Sequence, residues 1–197
     1  MKRFSIYLCG VGGQGIGLLS EVILRAADHA GLAVKAVDTH GLAQRGGIVV
    51  SQVRIGDTVY SPLICRQQAD LVVSLERHEA LRAVTRYARD GGTLIYYNTV
   101  WQPLGVRLGE HAEVSAGVIE AHCSHRGIRL VTVFEPHIEQ ARMQNVVLLA
   151  RISRENLVPG ISTAHYMLAM EDLMAGAMLE INKRLFESLC PAEGKAV

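Results

Sequence analysis

Two glycine-rich loops carry the residues whose types and spacing suit ligand chemistry. The first, Gly10-Val11-Gly12-Gly13-Gln14-Gly15, lies between an apolar run that predicts a strand and a periodic segment that predicts a helix. Glycines at this spacing allow a tight turn and let the N–H groups of a helix N-terminus approach a phosphate. The loop therefore predicts a cofactor-binding set of Gly10, Gly12, Gly13, Gln14 and Gly15.

The residues of this loop leave two interpretations open. In a dinucleotide-binding domain, Asp38 at the end of the second predicted strand falls about where an acid binds the ribose. In the alternative, the glycines only let the first strand and the first helix pack closely. Later residues do not form an acid–base set for hydride transfer, and we assign no catalytic residue to this chain.

The second loop runs from His40 to Gly47 and reads His-Gly-Leu-Ala-Gln-Arg-Gly-Gly. Gly46 and Gly47 permit positive φ or close approach by another backbone, and Arg45 offers a planar guanidinium for a carboxylate or phosphate. Gln44 and His40 add neutral hydrogen-bonding groups. An ion pair for Arg45 and a core position for His40 are the alternatives. The chemistry indicates recognition, so His40, Gln44, Arg45, Gly46 and Gly47 join the predicted cofactor-binding set.

Cysteine and histidine spacing predicts no metal site. The four cysteines are scattered without a Cys-x-x-Cys pair, whereas iron–sulfur clusters and structural zinc need clustered ligands. His122, Cys123 and His125 lie together on a predicted helix, and the two histidines share a face, but no third ligand is evident. We expect reduced, mostly buried thiols.

These loops must be positioned by alternating strands and helices. Strands are predicted at about 4–9, 33–37, 48–55, 70–75, 93–97 and 130–134, and helices at about 15–30, 114–125 and 136–154. A further helix has Glu76 and Glu79 in its first turn and is stopped by Gly91-Gly92, and Gly56-Asp57 turns into a hairpin partner at 58–60. Two shorter helices finish the chain. The pattern predicts an α/β fold, a three-layer Rossmann-like sandwich with a largely parallel sheet and a β-hairpin extension.

Length and composition favour one globular domain. The chain has 197 residues, of which 49% are hydrophobic, and a formal net charge of +1. Such a balance gives no electrostatic reason to expect nucleic acid or a membrane as partner. No apolar run approaches the roughly 20 residues of a membrane helix. We expect a cytoplasmic protein with a single domain over 1–190 and a frayed tail over 191–197.

Together the two loops resemble the gamma subunit of 2-oxoacid:ferredoxin oxidoreductases, and most of all the small subunit of indolepyruvate-type enzymes. The resemblance continues through Ser51-Gln52-Val53-Arg54, Ser61-Pro62-Leu63-Ile64 and Gln144-Asn145-Val146-Val147-Leu148-Leu149. It covers nearly the whole chain, and the pair of loops at this spacing is its most specific part. The segment 64–68 lacks the glycine expected of the family, so we expect its turn to be built differently.

The resemblance implies a subunit of a complex that oxidatively decarboxylates a 2-oxoacid to an acyl-coenzyme A and passes electrons to ferredoxin. Thiamine diphosphate, magnesium and 4Fe–4S clusters are then held by partner subunits, while this chain completes the assembly and contributes to a coenzyme A site. The isolated chain is expected to be inactive and to self-associate, for example as a homodimer. The alternative is a free-standing Rossmann-type nucleotide-binding module or small NAD-linked reductase, which would bind NAD, FAD or an adenine nucleotide without a partner.

Overall fold

The computed structural model of the chain describes residues 3–40, 47–101, 106, 108–109, 112–138 and 140–190. Within these residues one sheet has six strands: β1 (Phe4–Val11), β2 (Val34–His40), β3 (Ile48–Ile55), β4 (Ala69–Ser74), β5 (Ala88–Tyr97) and β6 (Arg129–Val133). Their order is β2-β3-β1-β4-β5-β6, and among them only β3 runs antiparallel to its neighbours. The predicted largely parallel sheet is confirmed.

Six α-helices lie in the described ranges: α1 (Ile16–His29), α2 (Arg77–Arg86), α3 (Ala116–His125), α4 (Gln144–Arg154), α5 (Thr163–Leu173) and α6 (Gly176–Leu189). The apolar positions that predicted α1, among them Ile16, Leu19 and Ile23, are all buried. A 3-10 turn, Ala141–Met143, leads into α4. None of the described helices has the length and apolar character needed to cross a membrane.

Separate cores cover the two faces of the sheet. On one face α1, α4, α5 and α6 pack over Ile6 and Leu8, and on the other α2 and α3 pack over Tyr7 and Cys9. Alternate residues of β1 thus enter opposite cores, as the two-residue period of a strand requires. The three-layer α/β sandwich is confirmed. Because α1 and α2 lie on opposite faces, the switch point of the sheet falls between β1 and β4.

The hairpin lies at a different place from the one predicted. β3 pairs with β2, whereas residues 58–60 form no strand. Since β3 already has a neighbour on both sides, it offers no free edge to a partner at 58–60. The segment 56–68 folds against the end of β3 instead. Gln52 Oε1 accepts the Ile64 N–H at 2.7 Å, and Arg54 Nη1 donates to the carbonyl oxygens of Ser61 and Leu63 at 2.9 and 3.1 Å.

The turn at 64–68 closes without a glycine, as its sequence predicts. Gln67 adopts a φ of +57°, in the left-handed region that residues with a side chain seldom occupy. The Gln67 N–H donates to the Arg86 carbonyl oxygen at 3.0 Å, and the Ala69 N–H donates to the Tyr87 carbonyl oxygen at 2.8 Å. These two bonds hold the turn against the end of α2.

The predicted end of α2 is wrong. α2 ends at Arg86 and β5 begins at Ala88, so Gly91 and Gly92 lie inside a strand. A Cβ on Gly92 would lie 3.0 Å from the Arg89 carbonyl oxygen, and Gly91 has a φ of +66°. The register between β4 and β5 shifts at this point. The two glycines therefore accommodate a bulge rather than stop a helix.

The predicted start of the helix at Pro136 is also wrong, because α4 begins only at Gln144. The Tyr97 hydroxyl donates to the Glu135 carbonyl oxygen at 2.9 Å and accepts the Glu135 N–H at 3.2 Å. Both main-chain groups of Glu135 are thus held by the end of β5. The chain therefore continues through a connecting segment before it turns into α4.

Among the four cysteines, all of which are described, Cys65 is exposed and the other three are buried. Burial raises the pKa of the Cys9 thiol, and it raises that of Cys123 to about 11. Because the thiolate is the reactive form, we expect a thiol reagent at mildly alkaline pH to modify Cys65 at least about tenfold faster than the others. Mass spectrometry of the labelled chain measures this, and Cys65→Ser should abolish the fast phase. A second fast thiol in the folded chain would contradict the burial described.

Candidate functional site

The two glycine-rich loops meet at the carboxyl end of β1. The Gly12 N–H donates to the Gly47 carbonyl oxygen at 2.8 Å, and Val11 is paired with Ile48. Because β3 runs antiparallel to β1, its first residues return to the place where β1 ends. The structure thus brings Gly47 next to the first loop.

The remaining members of the second loop are not all placed. His40 ends β2, where its backbone is paired with Val49 of β3. Gln44, Arg45 and Gly46 fall in 41–46, outside the described residues. The cofactor-binding roles of these residues stay predictions.

Gln14 joins the first loop to the end of β4. Its side chain is only 7% exposed. Oε1 accepts the Val11 N–H at 2.8 Å, and Nε2 donates to the Leu75 carbonyl oxygen at 3.2 Å. The Leu75 N–H in turn donates to the Cys9 carbonyl oxygen at 3.1 Å. These bonds give Gln14 a structural role across the switch point, and a direct contact with a cofactor stays a prediction.

Three glycines of the first loop meet different surroundings. A Cβ on Gly10 would lie 2.9 Å from Gln14 Oε1, and one on Gly15, at a φ of +84°, would lie 2.6 Å from Asn145 Nδ2. Gly13 has a φ of +100° and open space where a Cβ would be. Gly10 and Gly15 therefore serve close packing, whereas the backbone of Gly13 is accessible.

The geometry disfavours a dinucleotide site. A phosphate cradle needs free N–H groups, yet the N–H groups of Val11, Gly12 and Gln14 all donate within the chain. β3 lies between β2 and β1, so Asp38 stands two strands, about 10 Å, from β1. The Ser51 hydroxyl donates to Asp38 Oδ1 at 2.5 Å. Asp38 is therefore not in the position of a ribose-binding acid, which requires β2 beside β1.

A cleft of about 400 Å³ opens beside the first loop. Gly13, Gly15 and Leu18 form one side, and Met178 and Ile181 of α6 form another. The exposed Arg142 also lines it and has its Nε bonded to Gln140 Oε1 at 2.6 Å. Among its described lining residues, the cleft thus combines apolar walls with one cationic group.

Two asparagines that the sequence did not single out as site residues also line this cleft. Asn145 and Asn182 are 5% and 9% exposed. Asn145 Nδ2 donates to the Gly15 carbonyl oxygen at 3.3 Å, and Asn182 Nδ2 donates to the Met178 carbonyl oxygen at 2.8 Å. The sequence did give one signal for Asn145, which stands at the start of an apolar helical run. A polar side chain that is buried among apolar residues needs a specific hydrogen-bond partner.

Two buried carboxyl groups lie at the start of α2, on the face of the sheet opposite to the cleft. Glu76 and Glu79 are 1% and 5% exposed. The Glu76 carboxylate accepts the N–H groups of His78 and Glu79, and Glu79 Oε1 pairs with Arg82 Nη1 at 3.0 Å. Burial raises the pKa of both carboxyl groups, that of Glu79 to about 7 although Arg82 opposes the shift. Glu79 therefore gains and loses its proton near neutral pH.

The histidine pair on α3 is not joined by further candidate metal ligands within the described residues. Among the described residues, no group of three or more His, Cys, Asp or Glu side chains is arranged to hold a metal ion. Burial, followed by the charges of Arg126 and His125, lowers the pKa of His122. Cys123 is buried in the core beneath α3.

Comparison with known sequences gives matches along most of the chain. Residues 5–188 match the sequence profile of the family described as Pyruvate ferredoxin/flavodoxin oxidoreductase. Indolepyruvate oxidoreductase subunit IorB of Methanothermobacter thermautotrophicus is 30% identical over 191 residues, 93% of this chain and 94% of the relative. IorB of Archaeoglobus fulgidus is 50% identical over 99 residues, 49% of this chain and 47% of the relative. In that second alignment the chain spans about half the relative's length.

Two solved structures share the fold. The gamma subunit of a keto/oxoacid ferredoxin oxidoreductase from Geobacter sulfurreducens has a TM-score of 0.65 and 18% identity over 95% of this chain and 96% of its own. A 2-oxoglutarate:ferredoxin oxidoreductase from Magnetococcus marinus, with 2-oxoglutarate, coenzyme A and succinyl-CoA bound, has a TM-score of 0.67 and 20% identity. That alignment covers 100% of this chain and 32% of the other. At such identities the likeness concerns the fold.

Proposed function

Because the chain belongs to the pyruvate ferredoxin/flavodoxin oxidoreductase family, we propose that it is the gamma-type subunit of a 2-oxoacid:ferredoxin oxidoreductase complex. The observation that carries the proposal is the agreement along nearly the whole chain with an IorB subunit. A gamma subunit of the same fold, aligned over 95% of this chain, supports it.

In this proposal the complex oxidatively decarboxylates a 2-oxoacid, transfers the acyl group to coenzyme A and reduces ferredoxin in the cytoplasm. Partner subunits hold thiamine diphosphate, magnesium and the iron–sulfur clusters, and this chain completes the assembly. Cys9 and Cys123 lie in one core and Cys190 in the other, so these thiols are not gathered as a cluster requires.

The cleft beside the first loop is our candidate for a coenzyme A site shared with the partner. Leu18, Met178 and Ile181 suit the aliphatic part of such a ligand, and the exposed guanidinium of Arg142 suits a phosphate. A Cβ at Gly13 would meet no atom within 4 Å, so a ligand can approach that backbone. When bound, coenzyme A supplies the thiol that accepts the acyl group. The Magnetococcus marinus enzyme, which shares this fold, has coenzyme A bound, and this supports coenzyme A as a ligand of the proposed complex.

Arg45→Ala is expected to lower turnover of the reconstituted complex, or raise the KM for coenzyme A, by about tenfold or more. The physical reason is the loss of a guanidinium that recognises an anionic group at the shared site. The rate of 2-oxoacid-dependent ferredoxin reduction measures the effect, and circular dichroism tests whether the variant is folded. Arg25→Ala, which removes an exposed arginine near the C-terminal end of α1, is the matched control.

Three results would count against the proposal. Full turnover and unchanged coenzyme A affinity in Arg45→Ala would exclude that arginine from the site. A chain that does not copurify with a thiamine diphosphate-containing partner would remove the proposed complex. Tight binding of NAD, FAD or an adenine nucleotide by the isolated chain in calorimetry would favour the free-standing nucleotide-binding module.

A further inference from the structure

Three arginines converge on a concave surface at the amino end of β1, at the opposite end of that strand from the glycine loops. Arg3, Arg54 and Arg66 line this pocket of about 290 Å³ together with Leu63, and we call it the arginine pocket. Arg54 is fixed because its Nη1 donates to the carbonyl oxygens of Ser61 and Leu63. The whole chain has a net charge of only +1, so the pocket is a local concentration of positive charge.

The charge of the arginine pocket is not neutralised by the described residues. None of its three guanidinium groups forms an ion pair within them, and Arg54 Nε has no hydrogen-bond acceptor there. The nearby carboxylate of Asp70 is already engaged, because Oδ2 accepts the Ser5 N–H at 2.8 Å and Oδ1 pairs with Arg89 Nε at 2.7 Å. Converging guanidinium groups that lack an ion-pair partner among the described residues are suited to bind a carboxylate or phosphate.

Apolar side chains beside the pocket favour a protein over a small anion. Leu63 and Tyr60, both on the segment 56–68, are 61% and 89% exposed. A small anion on the arginines would leave both side chains in water, whereas a protein surface would bury them. Tyrosine and arginine together are typical of the centres of protein interfaces.

Exposed apolar area also occurs on this side of the sheet, at the strands that lie outside α2 and α3. α2 packs on β1, β4 and β5, and α3 packs on β6, so within the described chain β2 and β3 extend beyond the helices of this layer. Val37, Ile48 and Val50 lie on this face by their strand register, and Ile48 is 41% exposed. Arg54 is six residues from Ile48 on the same strand, so both side chains lie on the same face of the sheet. The arginine pocket and the exposed start of β3 therefore face the same side of the sheet.

We infer that this surface docks the partner subunit of the complex, with the arginine pocket receiving a carboxylate side chain of that subunit. The inference rests on the proposed function, because it requires such a partner. A carboxylate forms paired hydrogen bonds with guanidinium groups and fixes the register of docking, while Tyr60, Leu63 and Ile48 supply buried apolar area. The docking surface is separate from the cleft beside the first loop.

Cys65 reports directly on whether this surface is covered, because it is exposed and lines the arginine pocket. We expect the partner subunit to slow labelling of Cys65 by about tenfold or more, since an interface excludes solvent from its centre. Excess inorganic phosphate and a concentration series of the chain alone are the controls. Protection by phosphate would assign the pocket to a small anion, and protection that grows with chain concentration would assign it to a second copy. If phosphate or a higher concentration of the chain protects Cys65 while the partner subunit does not, the inference is overturned.

The double variant R3Q/R66Q tests the charge. It is expected to weaken binding of the partner subunit about tenfold and to reduce the dependence of binding on salt, because it removes two exposed positive groups. Arg54 is left intact because it holds the segment 56–68. The control R25Q/L168S removes an exposed arginine of α1 and a leucine that is 44% exposed on α5, both in the opposite layer.

Failure of this inference is distinguishable from failure of the proposed function. If the wild-type chain forms no complex with the partner subunit, the proposed function is wrong and the inference falls with it. If the wild type assembles while Cys65 stays as reactive as in the free chain and R3Q/R66Q binds with wild-type affinity, only the docking surface is wrong.

Discussion

Replacing Gly15 by alanine is expected to lower the free energy of unfolding by about 3 kcal/mol. One part of this cost is the φ of +84°, which is unfavourable by about 1 kcal/mol for a residue with a Cβ. The other part is the Cβ itself, 2.6 Å from Asn145 Nδ2. Asn145 is buried and donates to the Gly15 carbonyl oxygen, so it cannot move aside without losing that bond or shifting α4.

Gly13→Ala is the matched control for this variant. Gly13 also has a positive φ, +100°, but a Cβ there meets open space. We therefore expect a cost of only about 1 kcal/mol, and denaturant unfolding of both variants should differ by about 2 kcal/mol. Equal costs would show that the approach of Asn145 to Gly15 does not constrain the loop. In the reconstituted complex Gly13→Ala additionally tests the cleft, because a new methyl group would stand where we propose that a ligand lies.

Local pattern was sufficient to place the first loop but not to decide its role. The strand, the glycines and the periodic apolar positions of α1 are all set by neighbours in sequence. The side chain that leaves no room for a Cβ at Gly15 belongs to Asn145, which is 130 residues away along the chain. Gln14 likewise finds its second partner at Leu75, just after β4. Such contacts depend on the tertiary arrangement, which sequence spacing does not encode.

Strand order explains why Asp38 was misplaced. A strand that follows a helix and ends in an acid indicates a ribose-binding position only when it pairs beside β1. Here β3 lies between β1 and β2. The apolar pattern of each strand would be the same if β2 were paired directly with β1, so the sequence does not reveal the strand order. The pairing of β3 with both neighbours also excluded the predicted hairpin at 58–60.

The arginine pocket escaped sequence interpretation because its members belong to separate segments. Arg3 precedes β1, Arg54 lies one residue before the end of β3, and Arg66 lies in the turn before β4. Only Arg3 has a basic neighbour in sequence, Lys2, and the net charge of the whole chain conceals the local excess. Only the antiparallel pairing of β1 with β3, together with the folded segment 56–68, brings these guanidinium groups together.

The pH dependence of stability gives the second large expected effect, and it centres on Glu79. Burial raises the pKa of the Glu79 carboxyl in the folded chain from 4.5 to about 7. Between these values the folded state binds more protons than the unfolded state, so the free energy of unfolding falls as pH rises. The stabilising contribution of the protonated group is fully present below pH 4.5 and is lost as pH passes through about 7.

Glu79→Gln removes this titratable group, so its free energy of unfolding should fall less with rising pH than that of the wild type. The variant is therefore expected to be the more stable protein at alkaline pH. The ion pair with the partly exposed Arg82 stabilises the charged carboxylate and reduces the effect, so we expect the advantage of the variant to grow by about 2 kcal/mol between mildly acidic and mildly alkaline pH. Glu76, whose pKa is also raised, remains in the variant and leaves part of the slope. Glu120→Gln, at an exposed site on α3, is the control and should follow the wild type at every pH. If Glu79→Gln also follows the wild type throughout, the buried carboxyl does not hold its proton to neutral pH, and the Arg82 ion pair outweighs its burial.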